Sequence, residues 1–422
     1  MRVAILSATS AWGGAENHAI QLAGALNARG HEVLLVELGH KIFQQKNLTL
    51  SGRIELKHID LARPLEQLSW KEAQRILAQV AADVCVFEKG ELDAANFVFD
   101  LAARRIFKAY IAIEQLLAPT MPPRPRRENS QKIFHGWGTW WYINYFKRHF
   151  RSWAPHKIVC VSNAVRDRLR EEYRFPATKT LTIHNCIDAS LFRPNPEWRS
   201  SVRRAWNIPE HDLVFGAVGR LAPIKNFDKM IELFRQFCLS QPKTNAWLVL
   251  VGSGPAADQL RRLAEQSGVG NRIKFPGPND APWQAYNAID VFLMTSQSEG
   301  LPLALLEAMA CGCCPIGVSV GGVREVICDP KVGWLIEEGQ SDRFVAAMGN
   351  VAGMSGDQRM AIATNGRNVI STHFNTESQM AKFVSLIESS VTNQILPADS
   401  YQPCQDPDLS SKARKNSSAP VI

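Results

Sequence analysis

Val291-Phe292-Leu293-Met294-Thr295-Ser296-Gln297-Ser298-Glu299-Gly300-Leu301-Pro302-Leu303-Ala304-Leu305-Leu306-Glu307-Ala308-Met309-Ala310 reads as a strand, a short loop and a helix. Val291–Met294 is a brief apolar run, and Pro302 stands near the first helical position, where its missing N–H has no intrahelical partner to lose. Cys314–Val318 reads as the next buried strand. Strand, helix and strand in that order, with apolar strands, imply a parallel sheet covered on both faces. The free N–H groups at the helix tip form an anion site. Glu299 stands just before that tip, and Glu307 lies roughly 8 Å inside it at 1.5 Å per residue. Two glutamates at this spacing are, by themselves, equally a pair of solvated surface acids.

The alternation extends outward in both directions. Strands are predicted at Leu213–Val218, Ala246–Val251 and Arg272–Phe275, with helices at Phe227–Leu239 and Ala256–Gln266 between them. Near the N-terminus, strand Arg2–Ala8 leads into helix Glu16–Arg29, in which Ala19, Leu22, Ala23 and Leu26 share one face. Further strands follow at Val33–Leu38, Asp83–Phe87, Tyr110–Ile113 and Lys157–Ser162. Between Asn185 and Asp212 the rhythm breaks, with Arg193-Pro194-Asn195-Pro196-Glu197 as punctuation. The expected organisation is an α/β chain of two Rossmann-like doubly wound domains facing across a cleft. Residues 1–190 form the N-terminal domain, 191–212 a linker, and 213–375 the C-terminal domain. Residues 376–394 form a last helix packing back toward the first domain, and 395–422 a disordered polar tail. Ligands of such sheets bind at the carboxyl ends of the strands.

Composition narrows the class. Of 422 residues, 45% are hydrophobic and 21% charged, which excludes collagen-like, coiled-coil and wholly disordered chains. No run of 18 apolar residues occurs, so no spanning helix is expected, and the opening apolar stretch is too short for a signal peptide. Nine scattered cysteines without an export signal suit reduced thiols in the cytosol. Cys311-Gly312-Cys313-Cys314 lacks a second pair at zinc spacing and reads as buried small residues. The net charge is +8, and residues 121–157 alone carry eight Lys/Arg against one acid. Nine aromatics are mixed into that stretch. The mixture suits a peripheral site on an anionic membrane surface or an acidic acceptor. It equally suits an aromatic core with cations on a solvated face. No nucleic-acid module accompanies it.

Two further segments carry chemistry. In Val218-Gly219-Arg220-Leu221-Ala222-Pro223-Ile224-Lys225-Asn226 the strand ends at Gly219, which allows a sharp turn, and Arg220 and Lys225 reach the same sheet edge. Two cations there would neutralise a leaving diphosphate, or they are simply exposed. Gly13-Gly14-Ala15-Glu16 lies between the first strand and helix, where a ligand can approach the backbone closely, or forms a plain turn. Gly252-Ser253-Gly254-Pro255-Ala256-Ala257 formally fits a dinucleotide fingerprint, but the acid expected about 20 residues on is Arg272 here. Asp406-Pro407-Asp408 lies in the polar tail, away from any strand end, so no metal site is expected.

Taken together these segments resemble the retaining glycosyltransferases of the GT-B fold, family 4 (glycosyl transferases group 1). Val161-Ser162-Asn163 and Asn185-Cys186-Ile187-Asp188 match its "VSN" and "NGVD" stretches. Gly219-Arg220 through Lys225 matches "GRL…K", and Gly252-Ser253-Gly254-Pro255 matches "GxGP". Ala288-Ile289-Asp290-Val291-Phe292 matches "ADVFV", and Glu299 to Glu307 matches E-x7-E. The resemblance is strong over about 156–340 and weaker over 1–155. Two positions depart: Cys186 replaces the family's glycine, and Glu114 stands where the family carries an N-domain histidine. The resemblance implies transfer of a hexosyl group, with retention, from a nucleotide diphosphate sugar such as a UDP-sugar. The implied acceptor is a saccharide or lipid-linked glycan of cell-surface polysaccharide or lipopolysaccharide. Implied catalytic residues are Glu299, Arg220, Lys225 and Glu114, and implied donor-binding residues are Gly13, Gly14, Gly219, Gly300, Leu301, Pro302, Leu303 and Glu307. No cofactor, metal or nucleic-acid partner is implied. A non-catalytic sugar-nucleotide-binding protein and a sugar-nucleotide epimerase of the same fold are the alternatives.

Overall fold

The computed structural model describes residues 1–9, 12–45, 50, 52–89, 97–116 and 152–392. The basic stretch 121–157 therefore lies outside the described residues except for 152–157, and the predicted tail 395–422 lies wholly outside them.

The described residues fall into two compact units. The first takes residues within Met1–Ile187, together with Ser298–Leu303 and 374–392; the second takes Asp188–Gln297 and 304–373. The first unit holds strands β1 (Arg2–Ser7), β2 (Glu32–Leu38), β3 (Ile54–Ile59), β4 (Val84–Lys89), β5 (Ala109–Glu114), β6 (Lys157–Cys160) and β7 (Thr180–Thr182). Every pairing is parallel, in the order β3-β2-β1-β4-β5-β6-β7. Strands β1, β4 and β5 are buried along nearly their whole length, as a sheet covered on both faces requires. One face packs on helices Trp70–Leu77 and Phe97–Ile106 through Leu6, Val36, Phe87, Phe99 and Tyr110. On helices Gly14–Ala28 and Thr376–Thr392, His18 meets the Phe383 ring edge-on at 4.7 Å, and His31 Nε2 lies 2.9 Å from Glu388 Oε1.

The second unit holds β8 (Leu213–Val218), β9 (Ala246–Val251), β10 (Ile273–Gly277), β11 (Val291–Met294), β12 (Cys314–Val318) and β13 (Trp334–Ile336). They are parallel in the order β10-β9-β8-β11-β12-β13. In both sheets the strand order reverses beside the first strand, between β1 and β4 and between β8 and β11. That reversal opens a crevice at the carboxyl ends of the two strands.

The stretch 191–212 is not a bare connector. Helix Pro196–Ala205 runs through it, started by Asn195, whose side chain accepts the Trp198 N–H, and by Pro196 at the first helical position. Arg203 on this helix is fully buried in the second unit. Its guanidinium donates to Asp290 Oδ2 at 2.7 Å and to the carbonyls of Ala288, Glu210 and Asp212. The Pro-Asn-Pro punctuation is a capped helix start, and its proline content conceals that in the sequence. Cys311, Cys313 and Cys314 are buried, with thiols donating to backbone carbonyls and titrating above the ordinary thiol range because of burial.

Candidate functional site

The second sheet carries the expected cations at its switch point. The loop leaving β8 holds exposed Arg220 and half-buried Lys225, the latter closing a short 3-10 turn, Pro223–Lys225. Two connections hold this loop beside the one leaving β11. Thr295 Oγ1 donates to the carbonyls of Lys225 and Asn226 at 3.2 and 3.0 Å, and the Gln297 N–H donates to Ile224 O at 2.9 Å. From below, the loop rests on the turn after β9. The Gly219 N–H donates to Val251 O, the Leu221 N–H to Ser253 O, and the Ala256 N–H to Leu221 O. At Gly252, with φ +143°, a Cβ would stand 1.9 Å from Gly219 O, so backbone meets backbone here. The Gly252-Ser253-Gly254 spacing is thereby explained as a support for the Arg220 loop.

Glu307 lies on helix Leu303–Ala310 and is the titratable group of interest in this unit. Its Oε2 accepts a hydrogen bond from Tyr286 Oη at 2.7 Å. Tyr286 comes from helix Pro282–Asn287 and is wedged against Phe192 and Phe292. Burial pushes the Glu307 carboxyl up to about 7, against the lowering effect of the Tyr286 hydroxyl. The Tyr286 phenol is in turn held well above its ordinary range by burial and by Glu307. A carboxylate poised near neutrality beside a sheet switch point is a candidate binding group. Tyr286 carries no sequence signal of this role, since it belongs to a short helix unrelated to the E-x7-E spacing.

The loop between the two glutamates belongs to the first unit. Glu299, Gly300, Leu301 and Pro302 are buried, and Leu303 is half-buried. At Gly300 a Cβ would lie 2.0 Å from the carbonyl oxygen of Gln115, just past the end of β5, so only glycine fits. A Cβ on Gly14 would lie 3.2 Å from Leu303 Cδ1. At Gly14 the Leu303 side chain therefore lies close against the backbone. Gly13 caps helix Gly14–Ala28 without a side-chain bond, and the buried Glu16 carboxylate beside it accepts from Ser7 Oγ at 3.0 Å and from Thr9 Oγ1. Glu114 ends β5 as a buried residue, paired in register with Lys89 on one side and Cys160 on the other. Lys89 is committed elsewhere: its Nζ donates to Asp100 Oδ2 at 3.0 Å in the core. Ser162 accepts the Val165 N–H and so starts helix Asn163–Glu171, which explains the Val161-Ser162-Asn163 stretch. Cys186, at the family's glycine position, is buried with Sγ 3.6 Å from Gln21 Oε1.

Thus Arg220, Lys225, Gly219 and Glu307 stand on the second unit, and Gly13, Gly14, Glu114, Glu299 and Gly300–Leu303 on the first. Comparison with known proteins gives this arrangement a context. The family model described as Glycosyl transferases group 1 matches residues 199–369, and that described as Glycosyltransferase Family 4 matches 124–191. The chain is similar to a GDP-mannose-dependent alpha-(1-6)-phosphatidylinositol monomannoside mannosyltransferase of Mycobacterium tuberculosis, at 27% identity over 241 residues, 54% of this chain and 61% of that protein. It is also similar to a D-inositol 3-phosphate glycosyltransferase of Acidothermus cellulolyticus, at 31% identity over 39% of this chain and 38% of that protein. These matches span less than two thirds of the curated relatives' own length. Among solved structures, Anabaena HepE in complex with UDP-glucose has a TM-score of 0.73 at 20% identity, covering 92% of this chain and all of that one. A glycosyltransferase of Rickettsia africae has a TM-score of 0.73 at 15% identity, covering 93% of this chain and 99% of that one. These structural likenesses establish the fold as GT-B.

Proposed function

The chain belongs to the glycosyl transferases of group 1, and from that membership we propose that it moves a hexosyl group from a nucleotide diphosphate sugar to a saccharide or lipid-linked acceptor. The observation that carries this reading is the pair of connected loops after β8 and β11. They bring two cations and the helix of Glu307 to one sheet edge. Arg220 and Lys225 hold the diphosphate and stabilise the charge that develops as it leaves. Gly219 gives the Arg220 loop its turn. Glu307 accepts hydrogen bonds from the ribose hydroxyls. Glu299 reads the donor sugar, and Glu114 accepts from a sugar hydroxyl. Gly13 keeps the loop after β1 free of side-chain bulk.

Transfer proceeds with retention. The acceptor oxygen forms its bond to the anomeric carbon on the face that the diphosphate leaves, and a phosphate oxygen takes the acceptor proton. With cations opposite the leaving group, no divalent metal is required. The donor is a UDP-sugar, and the product belongs to cell-surface polysaccharide or lipopolysaccharide. The relatives' names support a nucleotide sugar as the donor class: GDP-mannose for the mycobacterial enzyme and UDP-glucose bound in the Anabaena structure. Among the described residues no helix is long and apolar enough to cross a membrane. The basic, aromatic stretch 121–157 supports peripheral attachment at the cytoplasmic face.

The test is a thermal-shift screen of nucleotide sugars, followed by measurement of nucleotide diphosphate release with and without acceptor. Stabilisation by a UDP-sugar and acceptor-dependent release are expected, with an axial or equatorial anomeric bond conserved by NMR and activity unaffected by EDTA. Binding without release would leave a sugar-nucleotide-binding protein, and acceptor-independent release with a rearranged sugar would indicate an epimerase.

A further inference from the structure

Beneath the 298–303 loop runs a line of buried polar side chains that the chemistry above does not use. His18 comes from helix Gly14–Ala28, Glu88 from β4, Gln115 from just after β5, and Asn185 from just after β7; all four are buried. His18 Nδ1 lies 2.6 Å from Glu88 Oε1, and Gln115 Nε2 donates to Glu88 Oε2 at 2.8 Å. Asn185 Nδ2 donates to Gln115 Oε1 at 3.3 Å and to the backbone carbonyl of Leu301 at 3.1 Å.

The line has a direction. Glu88 takes the nitrogen end of Gln115, which leaves the Gln115 oxygen facing Asn185. That oxygen turns the amide nitrogen of Asn185 inward, and the second hydrogen of its NH₂ falls to Leu301 O. In this orientation Asn185 Oδ1 is buried with no hydrogen-bond partner among the described residues, and so is His18 Nε2. Leaving a buried acceptor unmatched is unfavourable. An asparagine kept in that state is therefore oriented for what its nitrogen holds. Gly300 is fixed independently by its contact with the Gln115 carbonyl. Gln115 thus supports the loop twice, at Gly300 through its backbone and at Leu301 through Asn185.

We infer that Asn185 is a positioning residue. Oriented through Gln115 by Glu88 and His18, it holds the Leu301 carbonyl and so sets the conformation of the loop that carries Glu299. The consequence for turnover rests on the glycosyltransferase reading; the consequence for the loop does not. Asn185→Asp keeps the side-chain size but presents oxygen to two acceptors, so it removes the last bond and adds repulsion.

The experiment uses the full chain, with amide hydrogen exchange over 299–303 and donor kinetics read in parallel. Asn185→Asp is expected to speed exchange across 299–303 and to lower kcat about tenfold or more, the scale of one lost hydrogen bond with added repulsion. Donor KM, set mainly by Arg220, Lys225 and Glu307, should change less than about threefold. Because Gln115 and Asn185 act in series, Gln115→Ala combined with Asn185→Ala should cost little more than either alone. If Asn185→Asp does not fold, Asn185→Ser, whose hydroxyl is too short to bridge both partners, carries the same readouts. Unchanged exchange at 299–303 in a folded variant, or strictly additive kcat losses, would overturn the inference. Should the wild-type chain transfer no sugar, the exchange result still decides whether Asn185 holds the loop.

Discussion

Replacing Tyr286 by Phe removes one hydroxyl from a buried ring and leaves Glu307 without its 2.7 Å donor. Burial has already pushed that carboxyl up to about 7, and the Tyr286 bond opposes the rise. A hydrogen bond to a charged group contributes about 1.5–3 kcal/mol, part of which the neutral acid also enjoys, so a net rise of about one pKa unit is expected. At pH 7 the ionised fraction then falls from about one half to about one tenth, a loss of ~5-fold in the form that accepts two ribose hydroxyl bonds. The assay is affinity for an intact UDP-sugar, measured by calorimetry from pH 6 to 9; the intact donor is chosen because its diphosphate does not titrate in that range. Wild-type affinity should rise through about pH 7 and level off. Tyr286→Phe should show the same rise about one unit higher, with a ~5-fold deficit at pH 7 that vanishes by pH 9. An equal deficit at every pH would mean that Tyr286 matters for packing alone, and a flat wild-type profile would remove Glu307 from the binding site.

The same shift has a stability side. The folded pKa of Glu307 lies above its ordinary 4.5, so the fold holds more protons than the unfolded chain between those values. Its contribution is therefore greatest below about pH 4.5 and is lost as pH rises through about 7. In urea titrations across that window, Glu307→Gln should lessen the decline. Arg220→Ala and Lys225→Ala should each weaken donor use about tenfold or more; unchanged donor kinetics in both would remove the diphosphate from this edge. Arg203→Met should lower unfolding free energy by about 1–3 kcal/mol, because Asp290 keeps Arg199 and the Val214 N–H while the buried carbonyls of Ala288, Glu210 and Asp212 lose their donor; no change would show the buried guanidinium to be dispensable. Changing Arg124, Arg126 and Arg127 together to Ser should reduce co-sedimentation with anionic vesicles at low salt. Absence of wild-type binding would refute the membrane proposal and leave the transferase reading untouched.

Much of the architecture was legible because buried parallel strands announce themselves as apolar runs. Val84-Cys85-Val86-Phe87, Leu213–Val218 and Ala246–Val251 are of this kind. The strands that escaped notice lie farther out in the sheets. Strand β3 alternates Ile54, Leu56 and His58 with Glu55 and Lys57, and β7 and β13 each have three residues. At a sheet edge one side of the strand has no partner, so little apolar pattern is required and little is left to read. The helix within 191–212 was hidden for a related reason: Pro196 and Asn195 are helix-start residues as well as turn residues, and only burial of Arg203 against Asp290 distinguishes the two.

By itself the amino-acid order determined the alternation of strand and helix. It also determined the position of Gly219 and Arg220 at a strand end, and the seven residues between Glu299 and Glu307. These depend on neighbours within a few residues, where periodicity and turn chemistry act. Tertiary structure alone decided that Tyr286 meets Glu307, that Thr295 ties the Lys225 loop, and that Asn185 and Gln115 reach Leu301 and Gly300. It also assigned Glu299 and Glu307 to different units. Such contacts join residues that lie far apart along the chain, and they form when burial deprives a polar group of water and leaves another protein group as its partner. No local pattern encodes which group that will be, because the choice is made by the packing of whole elements.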